Sequence, residues 1–161
     1  MSRRDVRPVA LGVATREDEL LLVRFDDPET GETYARPPGG GIEFGEGSVA
    51  ALAREFREEL DASVETDRLI GVIENRFSLG GERGHEVVFV HAVEFADDTY
   101  YGADRLQVAE GDGETHEARW GSLDAIEARL VPDGLGALLI EADPDVEGVH
   151  AVAGEPPFPP G

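Results

Sequence analysis

A short charged segment of the chain has the residue types and the spacing to hold a metal ion. Arg54, Glu55, Glu58 and Glu59 lie within the six residues REFREE. Residues three and four apart stand on one face of a helix, so a helical segment would crowd the three glutamates together. Like charges repel unless something neutralises them, and Mg²⁺ takes carboxylate oxygens while keeping positions for water and phosphate. The spacing predicts a helix-borne metal site, and a solvated helix face is the alternative in so acidic a chain.

The surrounding segment resembles a known motif. Residues 40–62, GGIEFGEGSVAALAREFREELDA, are similar to the Nudix box, G-x5-E-x7-R-E-U-x-E-E-x-G-U, where U is bulky and apolar. Gly40 opens the box, and Glu46 is its first acid. Asp61 replaces the family's glycine, and Ala62 is small for the last U. Because that glycine ends the helix in a left-handed conformation, we expect Asp61 to adopt it, at a cost of about 1 kcal/mol.

The resemblance implies an enzyme that hydrolyses the pyrophosphate linkage of a nucleoside diphosphate joined to another group X. It implies Mg²⁺ as the cofactor, with Mn²⁺ as an alternative ion. The predicted metal ligands are Glu55, Glu58, Glu59 and the carbonyl of Gly39. The predicted catalytic residues are Glu55, as a candidate general base, Glu58, and Arg54, whose expected role is to orient the carboxylates.

In this family an acid from a later loop often completes the metal site. Glu114 and Glu117 precede Trp120 by six and three residues. We favour Glu114 because its segment is more typical of a loop. Glu117, or neither acid, is the alternative.

Weaker predictions concern the substrate. Nucleobases stack on aromatic rings and guanidinium planes, so the candidate pocket residues are Tyr34, Arg36, Arg76, Phe77 and His85. The glycine loop is expected to be shaped by Gly40, Gly41 and Glu46, the last bonding to the loop backbone or to Arg54. His91 and Trp120 are expected in the core.

Composition limits the other functions. The chain of 161 residues carries 35 acidic and 14 basic residues, a formal net charge of −21, and all the basic residues are arginine. Self-repulsion destabilises such a chain at low salt, and molar salt shortens its reach to about 3 Å. The composition therefore resembles that of haloarchaeal proteins, and an acidic mesophilic protein is the alternative. It disfavours bulk nucleic acid and anionic membranes as partners.

The pattern of elements predicts one α/β domain over residues 1–141, followed by a Pro-rich tail over 142–161 that is extended or disordered. We expect a helix from Ser48, as its N-cap, to about Leu60, a loop over 97–113 and a C-terminal helix over 130–141. The resemblance implies an α/β/α sandwich with a mixed curved sheet between helices. The absence of cysteine, signal peptide and long apolar run favours a cytoplasmic protein.

The group X stays open at this point. ADP-ribose, NADH, nucleoside triphosphates, dinucleoside polyphosphates and nucleotide sugars are all candidates, and a homodimer is left open. The absence of proline between Asp61 and Val131 slightly disfavours ADP-ribose, because family members selective for it often carry one there. The alternative from another class is a non-catalytic Nudix-fold module that binds nucleotides or regulates.

Overall fold

The computed structural model describes residues 5–141 and 149–154. The strands are β1 Arg7–Val13, β2 Thr15–Arg16, β3 Glu19–Asp26, β4 Thr33–Arg36, β5 Gly39–Gly41, β6 Val64–Leu79, β7 Glu82–Phe95, β8 Arg105–Ala109, β9 Thr115–Ser122, β10 Arg129–Leu130 and β11 Val149–Gly154. The helices are α1 Ser48–Leu60, α2 Thr99–Gly102 and α3 Leu135–Glu141, with one 3₁₀ turn at Leu123–Ala125.

The strands form two mixed sheets. The first has the order β11-β6-β7-β1-β5, and the second has the order β10-β4-β3-β9-β8, with β2 paired to β3. The α/β sandwich is confirmed, but the single curved sheet that we expected is divided in two. The division falls at Pro37 and Pro38, between β4 in one sheet and β5 in the other. Proline has no N–H to donate to a strand ladder, so pairing stops there.

The two long helices lie in different apolar clusters. Leu52 and Phe56 of α1 pack with Val93 and Trp120, and the Phe56 ring meets Phe95 edge-on at 5.8 Å. A second cluster holds Leu135 and Leu138 of α3, together with Val9, Ile73 and Val88 from the first sheet. Because β1 contributes to both clusters, the sheets lie between α1 and α3.

Helix α1 has the predicted limits, but its N-cap is Gly47. The hydroxyl of Ser48 lies 2.9 Å from Nε2 of His91 and does not cap the helix. At the other end, Asp61 is left-handed, with φ 51° and ψ 37°. Its N–H donates to the carbonyl of Arg57 at 3.1 Å. The expectation for Asp61 is confirmed.

Two segments differ from the sequence-based prediction. The stretch 97–113 is not all loop, because it contains α2 and the strand β8, which pairs with β9. The C-terminal helix begins at Leu135, five residues later than predicted. The preceding residues Arg129–Leu130 are held as a strand against β4, and the N–H of Val131 donates to Ala35 at 2.9 Å.

Part of the predicted tail is a strand. Val149–Gly154 pairs in parallel with β6, from Gly71 to Arg76. The other residues of the tail, 142–148 and 155–161, lie outside the described residues. Within residues 5–141 and 149–154, no helix is long and apolar enough to cross a membrane.

Candidate active site

The glycine loop fits tightly between β1 and α1. Gly39 has φ 148°, and a Cβ there would lie 2.0 Å from the carbonyl oxygen of Ala10. A Cβ on Gly40 would lie 2.7 Å from Cδ of Glu55. Gly39 therefore requires glycine, because a Cβ would meet backbone at a positive φ, whereas a side chain at Gly40 would displace the Glu55 carboxylate. The glycines let the loop pass directly under the Glu55 carboxylate.

Arg54 is the centre of a group of contacts that we call the arginine network. Its Nε and Nη2 donate to the two carboxylate oxygens of Glu46, both at 2.8 Å, and Nη2 also donates to the carbonyl of Gly41 at 3.0 Å. Nη1 donates to Glu55 at 2.9 Å and to Glu58 at 3.3 Å. One guanidinium therefore ties the loop to two of the box glutamates.

The contacts in this network favour the charged forms of both main partners. The hydrogen bond from Arg54, with a further bond from the backbone N–H of Glu43, lowers the pKa of Glu46 to about 2. The hydrogen bonds to Glu46 and Glu55 raise the pKa of Arg54 further above its usual range. Glu46 and Arg54 thus form a permanent, two-point ion pair that holds the loop.

The pKa of Glu59 is shifted in the opposite direction to that of Glu46. Burial raises its pKa to about 9, and so do its hydrogen bond with Glu55 and the charges of Glu55 and Glu110, while Arg36 opposes them. We call Glu55, Glu59 and Glu110 the acid cluster. Around neutral pH Glu59 keeps its proton and bonds to Glu55, so the two carboxyl groups are held together by one proton.

The acid cluster fits a hard cation in its donor chemistry. Carboxylate oxygens are the ligands that Mg²⁺ prefers. Glu58 is not part of the cluster, because its carboxylate is turned to Arg54. Among the described residues, no three acidic or histidine side chains form a ready-made metal site. Binding would require Glu58 to exchange Arg54 for the ion.

The later acid whose charge acts on Glu59 is Glu110, which the sequence did not predict. Glu114 is exposed at the tip of the β8–β9 hairpin, where its carbonyl accepts the N–H of Glu110 at 2.8 Å. Glu117 is bonded to Arg119 and lies 3.8 Å from Arg105. Glu110 directly follows the strand β8, which ends at Ala109. A strand predicted in this segment could therefore have located Glu110.

A cavity of about 1020 Å³ lies between the two sheets, and all five predicted substrate residues line it. They are Tyr34, Arg36, Arg76, Phe77 and His85. Tyr34 stacks on Phe25 at 5.6 Å, and the Arg129 guanidinium lies 5.9 Å from the Tyr34 ring. The charge of Arg36 acts on both Glu59 and Glu86, so Arg36 connects the acid cluster to the cavity.

The cavity also contains polar residues that the sequence reasoning did not select. Asn75 is 4% exposed, and its Oδ1 has no hydrogen-bond partner. Glu86 is opposite Asn75 in the β6–β7 pairing. Alternate residues of a strand lie on the same face, so Asn75 shares the inward face of β6 with Ile73. This alternation in the sequence could have predicted that Asn75, and Glu86 opposite it, face the interior.

The two residues expected in the core are there. Trp120 is buried, and its Nε1 donates to the carbonyl of Tyr100 at 3.3 Å. His91 is buried beside Ser48, and burial lowers its pKa. Its Nδ1 has no hydrogen-bond partner among the described residues.

Comparisons with known proteins agree with the box and the fold. A family model described as the NUDIX domain matches residues 5–138. The MutT NUDIX hydrolase from Burkholderia pseudomallei is similar at 27% identity and a TM-score of 0.62, over 84% of this chain and 98% of that one. An ADP-ribose pyrophosphatase from Streptococcus suis shares the fold at 17% identity and a TM-score of 0.55, over 92% and 100%.

The E. coli ORF135 protein also shares the fold, at 21% identity and a TM-score of 0.59, over 88% of this chain and 96% of that one. No curated protein matches the sequence. The family match covers most of the chain and includes the glycine loop, the arginine network and the acid cluster. The chain therefore belongs to the Nudix family of hydrolases.

Proposed function

We propose that the protein hydrolyses the pyrophosphate linkage of a nucleoside diphosphate joined to another group X, with Mg²⁺ or Mn²⁺ as its cofactor. The observation that carries this proposal is the connection between the acid cluster and the cavity: Glu110 and Arg36 both line the cavity, and the charges of both act on Glu59. Clustered carboxyl groups suit a cation, and arginines in the lining of the adjoining cavity, among them Arg36, suit the phosphates of a substrate.

Glu55, Glu58 and Glu59 would hold the ion, with the carbonyl of Gly39 and the carboxylate of Glu110. Glu110 replaces Glu114 in this set because its charge acts on Glu59. When bound, a divalent ion neutralises phosphate oxygens and makes water a better nucleophile.

The residues of the chain itself do three things in this mechanism. Arg54 fixes Glu55 through a 2.9 Å hydrogen bond, so Glu55 is positioned to accept a proton from the attacking water. Arg36 would bind the phosphates, because it lines the cavity and its charge acts on both Glu59 and Glu86. Tyr34 and Phe25 offer stacked rings beside the cavity for the nucleoside.

The alternative function, a non-catalytic module that binds nucleotides, is disfavoured by the acids that are present. A binding module has no need of three helix-borne carboxylates whose mutual repulsion opposes folding. Every acid of the box and its arginine are retained in this chain.

A hydrolysis screen tests the proposal. The protein is incubated in about 2 M KCl with Mg²⁺ and a panel of nucleotide sugars, dinucleotides, ADP-ribose and nucleoside triphosphates. We expect release of a nucleoside monophosphate from at least one class, and none in chelator. Metal-independent release, or binding without any turnover, would contradict the proposal, and the products would identify X.

A further inference from the structure

A row of three polar side chains crosses three neighbouring strands at the cavity. Asn75 on β6 is paired with Glu86 on β7, and Glu86 is paired with Arg7 on β1. Directly paired residues project from the same face of a sheet. All three line the cavity. We call them the polar row.

The polar row directly continues the apolar core. Two residues earlier along β6, Ile73 pairs with Val88, which pairs with Val9, and all three are at most 1% exposed. A period of two residues keeps the same face. The sequence therefore places Asn75, Glu86 and Arg7 where the buried surface of the sheet opens into the cavity.

The row presents hydrogen-bond acceptors. Oδ1 of Asn75 is buried and has no partner, which is costly unless a ligand supplies a donor. The Glu86 side chain is only 13% exposed, and Nη1 of Arg7 lies 3.6 Å from one of its oxygens. That distance is an ion pair longer than a hydrogen bond. The Glu86 carboxylate therefore keeps capacity for donors from a ligand.

The position of the row points to the nucleoside. Arg36 acts electrostatically on Glu59 of the acid cluster and on Glu86 of the row. A substrate with its phosphates at Arg36 has its hydrolysed end at the acid cluster, which leaves the row for the base. Burial also raises the pKa of Glu86, while Arg36 and Arg7 lower it, so donors from a ligand would relieve a desolvated carboxylate.

We propose that Asn75 and Glu86 select a guanine base. Guanine presents two adjacent donors, its N1–H and its 2-amino group, on the edge that pairs with other bases. Adenine, cytosine and uracil mix donors and acceptors there, so an acceptor would face an acceptor. The proposal rests on the proposed function, because it assumes that a nucleotide enters the cavity with its phosphates at Arg36.

Calorimetric binding of monophosphates tests the base separately from turnover. GMP, IMP and AMP are titrated into the full chain with Mg²⁺ in about 2 M KCl. IMP keeps N1–H and lacks the 2-amino group. We expect GMP to bind about 10-fold or more tightly than IMP or AMP. This comparison needs no variant, so misfolding cannot obscure it.

Two substitutions then locate the contact. Asn75→Ala and Glu86→Gln should each reduce the ratio of GMP to AMP affinity about 10-fold. Glu94→Gln is the matched control, because it removes a carboxylate from an exposed position of the same strand, outside the lining of this cavity. The control should keep the wild-type ratio.

The outcomes separate this inference from the proposed function. Turnover without preference for guanine overturns the inference and leaves the function standing. A guanine preference in binding with no turnover of any pyrophosphate supports the inference and contradicts the function. Equal binding of GMP, IMP and AMP would overturn the guanine proposal.

Discussion

The arginine network and the acid cluster lie side by side on one loop and helix, yet their carboxylates are shifted in opposite directions. Glu46 is held by both arms of Arg54, and its pKa falls to about 2. Glu59 is half-buried beside Glu55, and its pKa rises to about 9. The comparison shows that the number of acids in a segment does not define a metal site. What matters is which of the acids lacks a cationic partner.

Glu55 belongs to both groups. It accepts a hydrogen bond from Arg54 at 2.9 Å, and it also bonds to Glu59. The network therefore fixes one member of the acid cluster while leaving the cluster short of positive charge. This division gives a rigid support and a site that favours a cation.

The largest expected effect is on turnover when one of the proposed metal ligands on α1 is neutralised. Glu59→Gln and Glu58→Gln should each lower the rate of Mg²⁺-dependent hydrolysis by about 10²-fold or more. In chelator, the melting temperature should be unchanged or higher, because Glu59→Gln removes a carboxyl group whose charged form burial disfavours, and Glu58→Gln removes only an exposed ion pair. Initial rates and thermal melts measure both. Near-wild-type turnover in either variant would remove that residue from the metal site.

A smaller effect is expected at the distal acid. Glu110→Gln should reduce the rate about 10-fold and raise the Mg²⁺ concentration needed for half-maximal rate. Glu114→Gln is the matched control, because it removes the same charge at an exposed position four residues away. Metal titrations of the rate compare the two variants. A stronger effect of Glu114→Gln would return the assignment to Glu114.

The arginine network and the acid cluster should change the stability of the protein with pH in opposite directions. Because the pKa of Glu46 is lowered, its ionised side chain stabilises the folded protein. This stabilisation is complete above the ordinary pKa of 4.5 and is lost as the pH falls toward about 2. Because the pKa of Glu59 is raised, its protonated side chain stabilises the folded protein. This stabilisation is complete below pH 4.5 and is lost as the pH rises toward about 9.

Melting temperatures in chelator, between about pH 3 and pH 9, measure these two contributions. Glu46→Gln should flatten the acid side of the profile, and Glu59→Gln should flatten the alkaline side. Wild-type stability that does not fall between about pH 6 and pH 9 would mean that Glu59 is ionised in the folded protein.

The least specific effect is that of salt on the whole molecule. With a net charge of −21, the melting temperature should rise as KCl increases from about 0.1 M to about 2 M, because screening weakens repulsion. The ion pair of Glu46 and Arg54 should lose some strength over the same range, so Glu46→Gln should gain slightly more than the wild type. A flat or falling melting temperature would contradict a halophilic origin of the composition.

The sequence by itself determined the local part of the site. The limits of α1 and the left-handed Asp61 agreed with the prediction. Arg54 and Glu58, four residues apart, meet on one helix face. These features depend on helix periodicity and on the end of one helix, which neighbouring residues control.

Only the tertiary structure decided which distant residues join them. Glu110 reaches the cluster because β8 pairs with β9, and Asn75, Glu86 and Arg7 meet because three strands pair in a particular register. A shift of one residue in that register would turn each side chain to the other face. The opposite pKa values of Glu46 and Glu59 likewise depend on burial and on partners brought by folding, which spacing along the chain does not contain.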